Sequence, residues 1–307
     1  MKWAATEGLT KTGNSLINKL IGLSSTSLFS TVLVNLVASF IQFTGGLIGA
    51  KRSQVSLKIT GPQLLGCMIF GFFASLSSWT LLSIYTHPGS EVGVTTFIVS
   101  LSIVPSTLVA WLLFSERLNW RQWLGVICFI GAGYAVLNFP SLSVILSLPT
   151  WIFMAMGLSL LVGANEVITQ IQARVKLKPL NPWVNNFWVG LTSTVLSGAA
   201  AIYFGKSLTR LAEIPARQWV GSVAIGLLVI LMIQSKLLSY QRGGTMATKR
   251  LVMSGTYIIG TLILGFLIYR EPITVGKVIG VLGFFLAFIL TDEGTWRIVT
   301  RFKPKQN

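Results

Sequence analysis

Apolar segments long enough to cross a bilayer follow one another along almost the whole chain. We place nine of them at residues 26–49, 62–85, 92–114, 122–139, 149–171, 182–203, 218–239, 247–269 and 275–291. A membrane-spanning helix needs about 20 mostly apolar residues. Only 10% of the side chains are charged, against about 25% in soluble proteins. The sequence therefore predicts an all-α integral membrane protein without a separate soluble domain.

A tenth helix is expected at residues 3–22, although this segment is less apolar. Glu7, Lys11, Asn14 and Asn18 share one face of that helix, because about 100° separates successive residues. Lipid offers these groups no partners, so the stripe must face protein or a water-filled cavity. We expect it to line a central pathway, with Glu7 paired to Lys11 near the cytoplasmic mouth. The alternatives are a helix in the membrane interface and a span whose more apolar beginning is missing.

The net charge of +16 would suggest nucleic-acid binding in a soluble protein, but here it indicates topology. With ten helices and the N-terminus inside, most lysines and arginines fall in connections on the cytoplasmic side. Basic residues favour that side of a membrane. We therefore expect a multi-pass plasma-membrane protein with both termini cytoplasmic and no nucleic-acid partner. Cys67 and Cys128 lie in predicted helices and are expected to pack without forming a disulfide.

The two halves of the chain are related by an internal repeat. Residues 61–138 align without a gap onto residues 216–293, and the matches include glycines, a tyrosine and a glutamate. The aligned pairs include Gly66 with Gly221, Gly71 with Gly226, Tyr85 with Tyr240, Gly89 with Gly244, Glu116 with Glu271, and Gly125 with Gly280. An odd number of helices in each half makes the second half enter the membrane from the opposite side. Inverted repeats of this kind are typical of secondary transporters.

The aligned regions also resemble a known family. Residues 105–133 are similar to the signature of EamA-type proteins in the drug/metabolite transporter superfamily, and residues 262–288 repeat the pattern. The matching residues are Glu116, Trp123, Gly125 and Gly131, then Glu271, Gly280 and Gly283. The resemblance implies ten transmembrane helices in two inverted five-helix repeats around a central cavity. It also implies transport of small organic solutes such as amino acids and related metabolites. Gly260 departs from the pattern, since a second proline is expected there.

These boundaries predict three parts of the chain. Residues 1–140 form the first five-helix repeat, residues 149–293 form the second, and residues 294–307 form a basic cytoplasmic tail. Glu116 and Glu271 each stand between two predicted helices. We expect each carboxylate to accept hydrogen bonds from the free N–H groups that begin the helix after it.

Glu166 is the most conspicuous acid inside a predicted span, with Asn165 beside it and Gln170 one turn later. A buried carboxylate without a cationic partner favours its protonated form and can carry a proton through a transporter. The alternative is that Glu166 lies near the cytoplasmic end, extends toward water and pairs with Arg174 or Lys176.

The substrate of such a transporter would be bound by amide, hydroxyl, carboxylate and aromatic groups. Ser254 and Tyr257 are three residues apart and therefore share a helical face, and Trp79 lies near the middle of its helix. The full set of predicted substrate-binding residues is Asn14, Asn18, Trp79, Asn165, Glu166, Gln170, Gln234, Ser254 and Tyr257.

Lys249 and Arg250 allow a second interpretation. Such a pair opening a late helix resembles the organic-phosphate translocators of the same superfamily, where it would hold a phosphate. The simpler alternative is that basic residues are normal in the first turn of a helix on the cytoplasmic side. Transport of uncharged or zwitterionic solutes predicts that Lys249→Ala is tolerated, and phosphate transport predicts that it is not.

Catalysis is not expected. The chain has one histidine and lacks the sequence motifs of metalloproteases and serine hydrolases. We therefore expect a solute exporter without a cofactor, in contact with a small molecule and the lipid bilayer. A membrane protein without a transport function is the alternative. Gly276 and Gly280 form a small-residue face that could pack within the bundle or between subunits, so a monomer and a homodimer both remain open.

Overall fold

The computed structural model describes residues 2–23, 27–114, 119–138, 148–174, 179–205, 214–243, 246–291 and 296. Eleven α-helices account for most of these residues. They are α1 (Lys2–Gly22), α2 (Leu28–Arg52), α3 (Gly61–Thr86), α4 (Val92–Ser100), α5 (Ile103–Phe114), α6 (Trp120–Val136), α7 (Thr150–Arg174), α8 (Pro182–Gly205), α9 (Ala216–Gln241), α10 (Met246–Tyr269) and α11 (Val275–Thr291). The predicted tail, apart from Trp296, lies outside the described residues.

Seven segments of the described chain are long and apolar enough to cross a membrane. They are Leu28–Arg52, Gly61–Thr86, Val92–Leu113, Thr150–Ala173, Pro182–Phe204, Ala216–Gln241 and Val252–Tyr269. The apolar helix α11 is shorter. The prediction of an all-α membrane-spanning protein is therefore confirmed, and the predicted helix boundaries differ from the observed ones by no more than three residues.

The predicted helix 92–114 is interrupted, because a turn at Leu101 and Ser102 separates α4 from α5. Pro105 causes the break: it has no N–H, and its ring would clash with the carbonyl of Leu101 in a continuous helix. That carbonyl instead accepts a hydrogen bond from Val104 N at 2.9 Å. Ser106 Oγ donates to Ser102 O at 2.6 Å. The interruption therefore leaves these carbonyls with partners in an apolar setting.

Helix α1 lies inside the bundle, where it packs against α3, α4, α9 and α10. Glu7 and Ser15 are completely buried, although α1 is among the more polar helices of the chain. Its 21 residues extend over about 30 Å, the thickness of the hydrocarbon layer. The interfacial alternative is therefore wrong, because a helix at the membrane surface would keep its polar face in water.

Eight of the described helices, α1 among them, pack in four pairs. Helix α2 lies on α8, α6 on α11, α1 on α9, and α3 on α7. The first of these pairs is unusually close, because Gly46 faces the backbone of Phe187 and Gly190 faces the backbone of Phe43. A side chain at either glycine would come closer than 3.0 Å to these backbone atoms.

The small-residue face of α11 packs against α6. A side chain at Gly276 would meet Ala135 O, and one at Gly280 would meet Ala132 O and Val136. This face therefore packs helices within one bundle, which answers the question that the sequence left open about it. Cys67 and Cys128 are both free thiols, as predicted.

Candidate functional site

A cavity of about 140 Å³ lies in the middle of the bundle. Helices from both halves of the chain surround it: α1 to α4 from the first half and α7 to α10 from the second. Its polar lining consists of Lys11, Asn14, Asn35, Ser39, Gln42, Ser77, Ser78, Asn165, Ser193, Lys236 and Tyr257. Its apolar lining includes Phe70, Leu81, Val99, Leu158, Met232 and Ile233. The cavity can therefore hold a solute with one polar and one apolar part.

Three of the predicted substrate-binding residues line this cavity: Asn14, Asn165 and Tyr257. The hydroxyl groups of Tyr257 and Ser15 form a hydrogen bond. Asn18 lies behind Asn14, since its Nδ2 donates to Asn14 O at 2.8 Å and to Asn14 Oδ1 at 3.2 Å. The polar stripe of α1 is thus longer than the cavity that it borders.

The other predicted residues are not brought to the cavity lining. They are Trp79, Glu166, Gln170, Gln234 and Ser254, and three of them (Glu166, Gln170 and Ser254) are completely buried. Helical spacing shows which residues share a face, but it does not show which face turns toward the cavity. That choice depends on how neighbouring helices pack.

Sequence reasoning missed several lining residues on α2. Asn35, Ser39 and Gln42 are spaced i, i+4 and i+7 and all reach the cavity. Asn35 Nδ2 also donates to Ser197 Oγ at 2.8 Å. The spacing is the same as that of Lys11 and Asn14 with Glu7 on α1, so the same test applied to α2 would have found them.

Five charged side chains form a buried charge network where α1 begins, a place that we call the Glu7 end of the bundle. Glu7 Oε1 lies 3.0 Å from Lys11 Nζ, and Glu7 Oε2 lies 2.7 Å from Lys249 Nζ. Glu166 Oε2 lies 2.9 Å from Lys249 Nζ. Glu166 Oε1 lies 3.2 Å from Lys236 Nζ and 3.9 Å from Lys11 Nζ. The network thus joins α1, α7, α9 and α10, and it confirms the predicted pairing of Glu7 with Lys11.

Glu166 differs from both interpretations that the sequence allowed. Its side chain is completely buried, so it does not extend toward water, and lysines of three other helices lie close to its carboxylate. Tyr240 Oη also donates to Glu166 Oε2 at 2.8 Å. The side chain of Arg174 and the whole of Lys176 lie outside the described residues. Glu166 is therefore a paired structural charge, because its cationic partners come from helices that the sequence does not place beside it.

Lys249 is buried and forms ion pairs within the protein. Its amino group pairs with Glu7 and Glu166, its side chain has no exposed surface, and it is not among the residues that line the cavity. The side chain of Arg250 lies outside the described residues. Lys249 is therefore not placed to bind a phosphate in the cavity. The variant Lys249→Ala tests the stability of the charge network more than it tests the choice of substrate.

Lys11 and Lys236 are the two members of the network that reach the cavity. Glu7 and Glu166 have no exposed surface and lie behind them. Lys236 Nζ also lies 4.9 Å from the centre of the Phe70 ring, a favourable position for a cation. The cavity thus meets the positive side of the charge network.

At the opposite end of the bundle, which we call the Glu271 end, a carboxylate binds a helix N-terminus. Glu271 Oε1 accepts a hydrogen bond from Val92 N at 2.6 Å, and Glu271 Oε2 accepts one from Gly93 N at 3.2 Å. These N–H groups begin α4, not α11, so the expected helix is wrong although the chemistry is as predicted. Arg270 ends α10 with φ 55°, and the chain then places Glu271 toward the other half. Glu116, the counterpart of Glu271, lies outside the described residues.

Further polar contacts join the two halves at the Glu271 end. Tyr269 Oη donates to Leu16 O at 2.5 Å, and Lys277 forms an ion pair with Glu91. Lys19 donates to Ser90 O within the first half. Burial raises the pKa of Glu271 above its usual value, and the hydrogen bonds from Val92 N and Gly93 N oppose this rise. Polar groups therefore join the two halves at the Glu271 end as well as in the charge network.

No family model matches the chain, and no curated protein matches it. Solved structures do match. One of them, described as "Crystal structure of protein", superimposes with a TM-score of 0.66 at 16% identity, and the alignment covers 95% of this chain and 99% of that chain. At this identity the likeness shows the fold alone. The chain thus shares a helical fold with a protein of known structure, along almost the full length of both.

Proposed function

We propose that this protein is a secondary transporter of the EamA type, a member of the drug/metabolite transporter superfamily. It moves small organic metabolites by alternating access and exports them across the plasma membrane, with both termini in the cytoplasm. Its helices form two inverted five-helix repeats, in which α4 and α5 together count as one helix.

The observation that carries this proposal is the cavity between the two halves. It lies in the centre of the bundle and is bordered by Lys11 and Lys236 of the charge network, while Glu271 and its partners join the two halves at the opposite end of the bundle. Polar contacts of this kind can break at one end while the apolar packing of the bundle remains. A site that opens alternately to each side needs such separate closures.

The pairing of the helices supports the inverted repeat. The repeat relates α1 to α7 and α3 to α9, so the contact of α1 with α9 should have a counterpart between α7 and α3. Both contacts are present. The repeat also relates α2 to α8 and α6 to α11, and each of these pairs is in contact. Each contact thus has a counterpart or joins two equivalent helices, as a pseudo-two-fold axis through the cavity predicts.

Transport by purified protein in liposomes tests the proposal. Uptake and exchange are measured with a panel of amino acids and phosphorylated metabolites, since an organic-phosphate or nucleotide-sugar antiporter of the same superfamily is the alternative. Ala74 lines the cavity, so Ala74→Trp should fill it and abolish transport. Ala199 is exposed on α8, and Ala199→Trp serves as the matched control that keeps activity.

The result also decides between transport and a structural role. If neither these two classes nor simple organic anions move, and none of them raises the unfolding temperature of the protein in detergent, the transporter proposal is wrong. Equal activity of Ala74→Trp and Ala199→Trp would show instead that the solute takes another route.

A further inference from the structure

Among the described residues, the charge network contains more amino groups than carboxylates. It contains the three amino groups of Lys11, Lys236 and Lys249 and the two carboxylates of Glu7 and Glu166. With every group in its ordinary ionic form, these described side chains sum to 3 − 2 = +1. A net charge inside a membrane protein is costly, so a structure of this kind gains stability when an anion binds beside it.

The excess charge is directed toward the cavity. Lys11 and Lys236 line it, while both carboxylates and Lys249 have no exposed surface. The amino groups of Lys11 and Lys236 are therefore accessible to a solute in the cavity, whereas the two carboxylates are not. The amides of Asn14 and Asn165 line the cavity too and can donate further hydrogen bonds to an anion.

We infer that the cavity binds a monovalent organic anion, such as a carboxylate with an apolar body, through Lys11 and Lys236. The inference rests on the proposed transport function and gives it a substrate class. One negative charge brings the network to zero. A zwitterion would leave it at +1 and would place an ammonium near lysines, and a phosphate dianion would take it to −1. Phe70, Leu81 and Val99 supply the apolar surface for the rest of the solute.

Ligands with one carbon skeleton and different charges test this inference. The probes are isocaproate (−1), its amide isocaproamide (neutral), leucine (zwitterion) and isoamyl phosphate (mostly −2). Binding is measured from the unfolding temperature of the purified protein in detergent at neutral pH. We expect isocaproate to bind at least about tenfold more tightly than the other three, a difference of about 1.4 kcal/mol.

Transport is measured in liposomes with isoamyl sulfonate. This monoanion stays ionised, whereas a carboxylic acid also crosses lipid in its neutral form. Saturable uptake that isocaproate inhibits is expected, without inhibition by isocaproamide.

Two substitutions change the charge of the network in opposite directions. Lys236→Gln lowers it to zero and should weaken isocaproate binding by about tenfold without changing the weak binding of isocaproamide. Glu166 keeps Lys249 as a partner in this variant, so we expect it to fold. Lys51 is exposed at the end of α2, and Lys51→Gln is the control that should bind isocaproate normally.

Glu7→Gln raises the charge of the network to +2 and leaves Glu166 among the lysines. It should shift the preference toward isoamyl phosphate, a gain that loss of folding cannot produce. An unchanged order of preference in Glu7→Gln would overturn the inference.

The outcomes separate the inference from the transport function. If leucine or isoamyl phosphate is bound and transported in preference to the monoanions, the protein is a transporter and the inference about its substrate is wrong. If isocaproate binds in a Lys236-dependent way but isoamyl sulfonate does not cross the membrane, the binding site stands and the transport function fails. If no probe binds or moves, both are wrong.

Discussion

Lys249 holds two buried carboxylates together, although a charged residue in the first turn of a helix is usually exposed. Its amino group lies 2.7 Å from Glu7 and 2.9 Å from Glu166, and its side chain has no exposed surface. In such a setting the ion pairs compensate for lost hydration, and the removal of one partner leaves a charge buried without its counterion. The lysine is therefore a structural residue beside the site.

We predict that Lys249→Ala destabilises the protein by about 3–5 kcal/mol, the usual effect of breaking a buried ion pair. Thermal unfolding in detergent measures the change. The double variant Glu7→Gln/Lys249→Ala should recover part of the loss, because it removes one of the two carboxylates as well. Equal stability of Lys249→Ala and the wild type would contradict the ion pairs described above.

Glu271 should make the stability of the protein depend on pH. Burial raises its pKa above the ordinary value of 4.5, so the folded protein keeps this proton to a higher pH than the unfolded chain does. The stability that the protonated Glu271 contributes to the folded protein is therefore fully present at pH values below the ordinary pKa. It is lost as the pH rises through the raised pKa. The charged groups that face it, Lys19 and Glu91, change the size of this effect and leave its direction unaltered.

Glu271→Gln has no such proton to lose. We expect its unfolding temperature to rise relative to the wild type as pH increases from about 4 to 8, because only the wild type then buries a carboxylate. Thermal unfolding of both proteins over this range measures the difference. A constant difference at all pH values would show that Glu271 does not titrate in the folded protein.

At the scale of the helix, close packing depends on glycines where two backbones meet. The α2 and α8 helices approach each other at Gly46 and Gly190, where a side chain would overlap backbone atoms that cannot rotate away. We predict that Gly46→Ala costs about 1–3 kcal/mol, since overpacking forces the two helices apart. Thermal unfolding of the variant and the wild type measures this loss of stability.

Gly157 on α7 is the matched control for this substitution. A side chain there would meet no atom within 4 Å. Gly157→Ala should be neutral or should stabilise the helix by up to about 1 kcal/mol, because alanine is the better helix former. Equal effects of the two substitutions would show that backbone contact between α2 and α8 does not decide the cost.

At the scale of the whole molecule, alternating access predicts that the cavity can be reached from both sides of the membrane. Ser78 lines the cavity, so Ser78→Cys reports on access when both native cysteines are replaced by alanine. We expect a membrane-impermeant thiol reagent to label it in right-side-out and in inside-out vesicles. Ala199→Cys on the exposed face of α8 is the control for labelling within lipid. Labelling of Ser78→Cys from one side alone would indicate a pocket that never opens to the other side.

The approximate limits of the helices, and the membrane environment, follow from the sequence by itself. About 20 apolar residues in succession have one stable arrangement in lipid, because each backbone N–H and C=O must be bonded within the helix. The same local physics predicted that Glu7 pairs with Lys11, since residues i and i+4 are neighbours on any helix. The turn before Pro105 is also within reach of local reasoning, because proline lacks the N–H of a continuous helix and its ring clashes with the preceding turn.

Tertiary structure alone decided which polar residues meet. Glu166 comes together with Lys236 on another helix and with Lys249, which is 83 residues away in the chain, and Glu271 reaches the start of α4 across 179 residues. Helical periodicity fixes the relative direction of side chains on one helix, but the rotation of that helix in the bundle depends on the shapes of its neighbours. Asn14 therefore lines the cavity while Asn18, on the same stripe, supports it from behind. The charge that the cavity presents to a solute is likewise a property of four helices together, and no single segment of the sequence contains it.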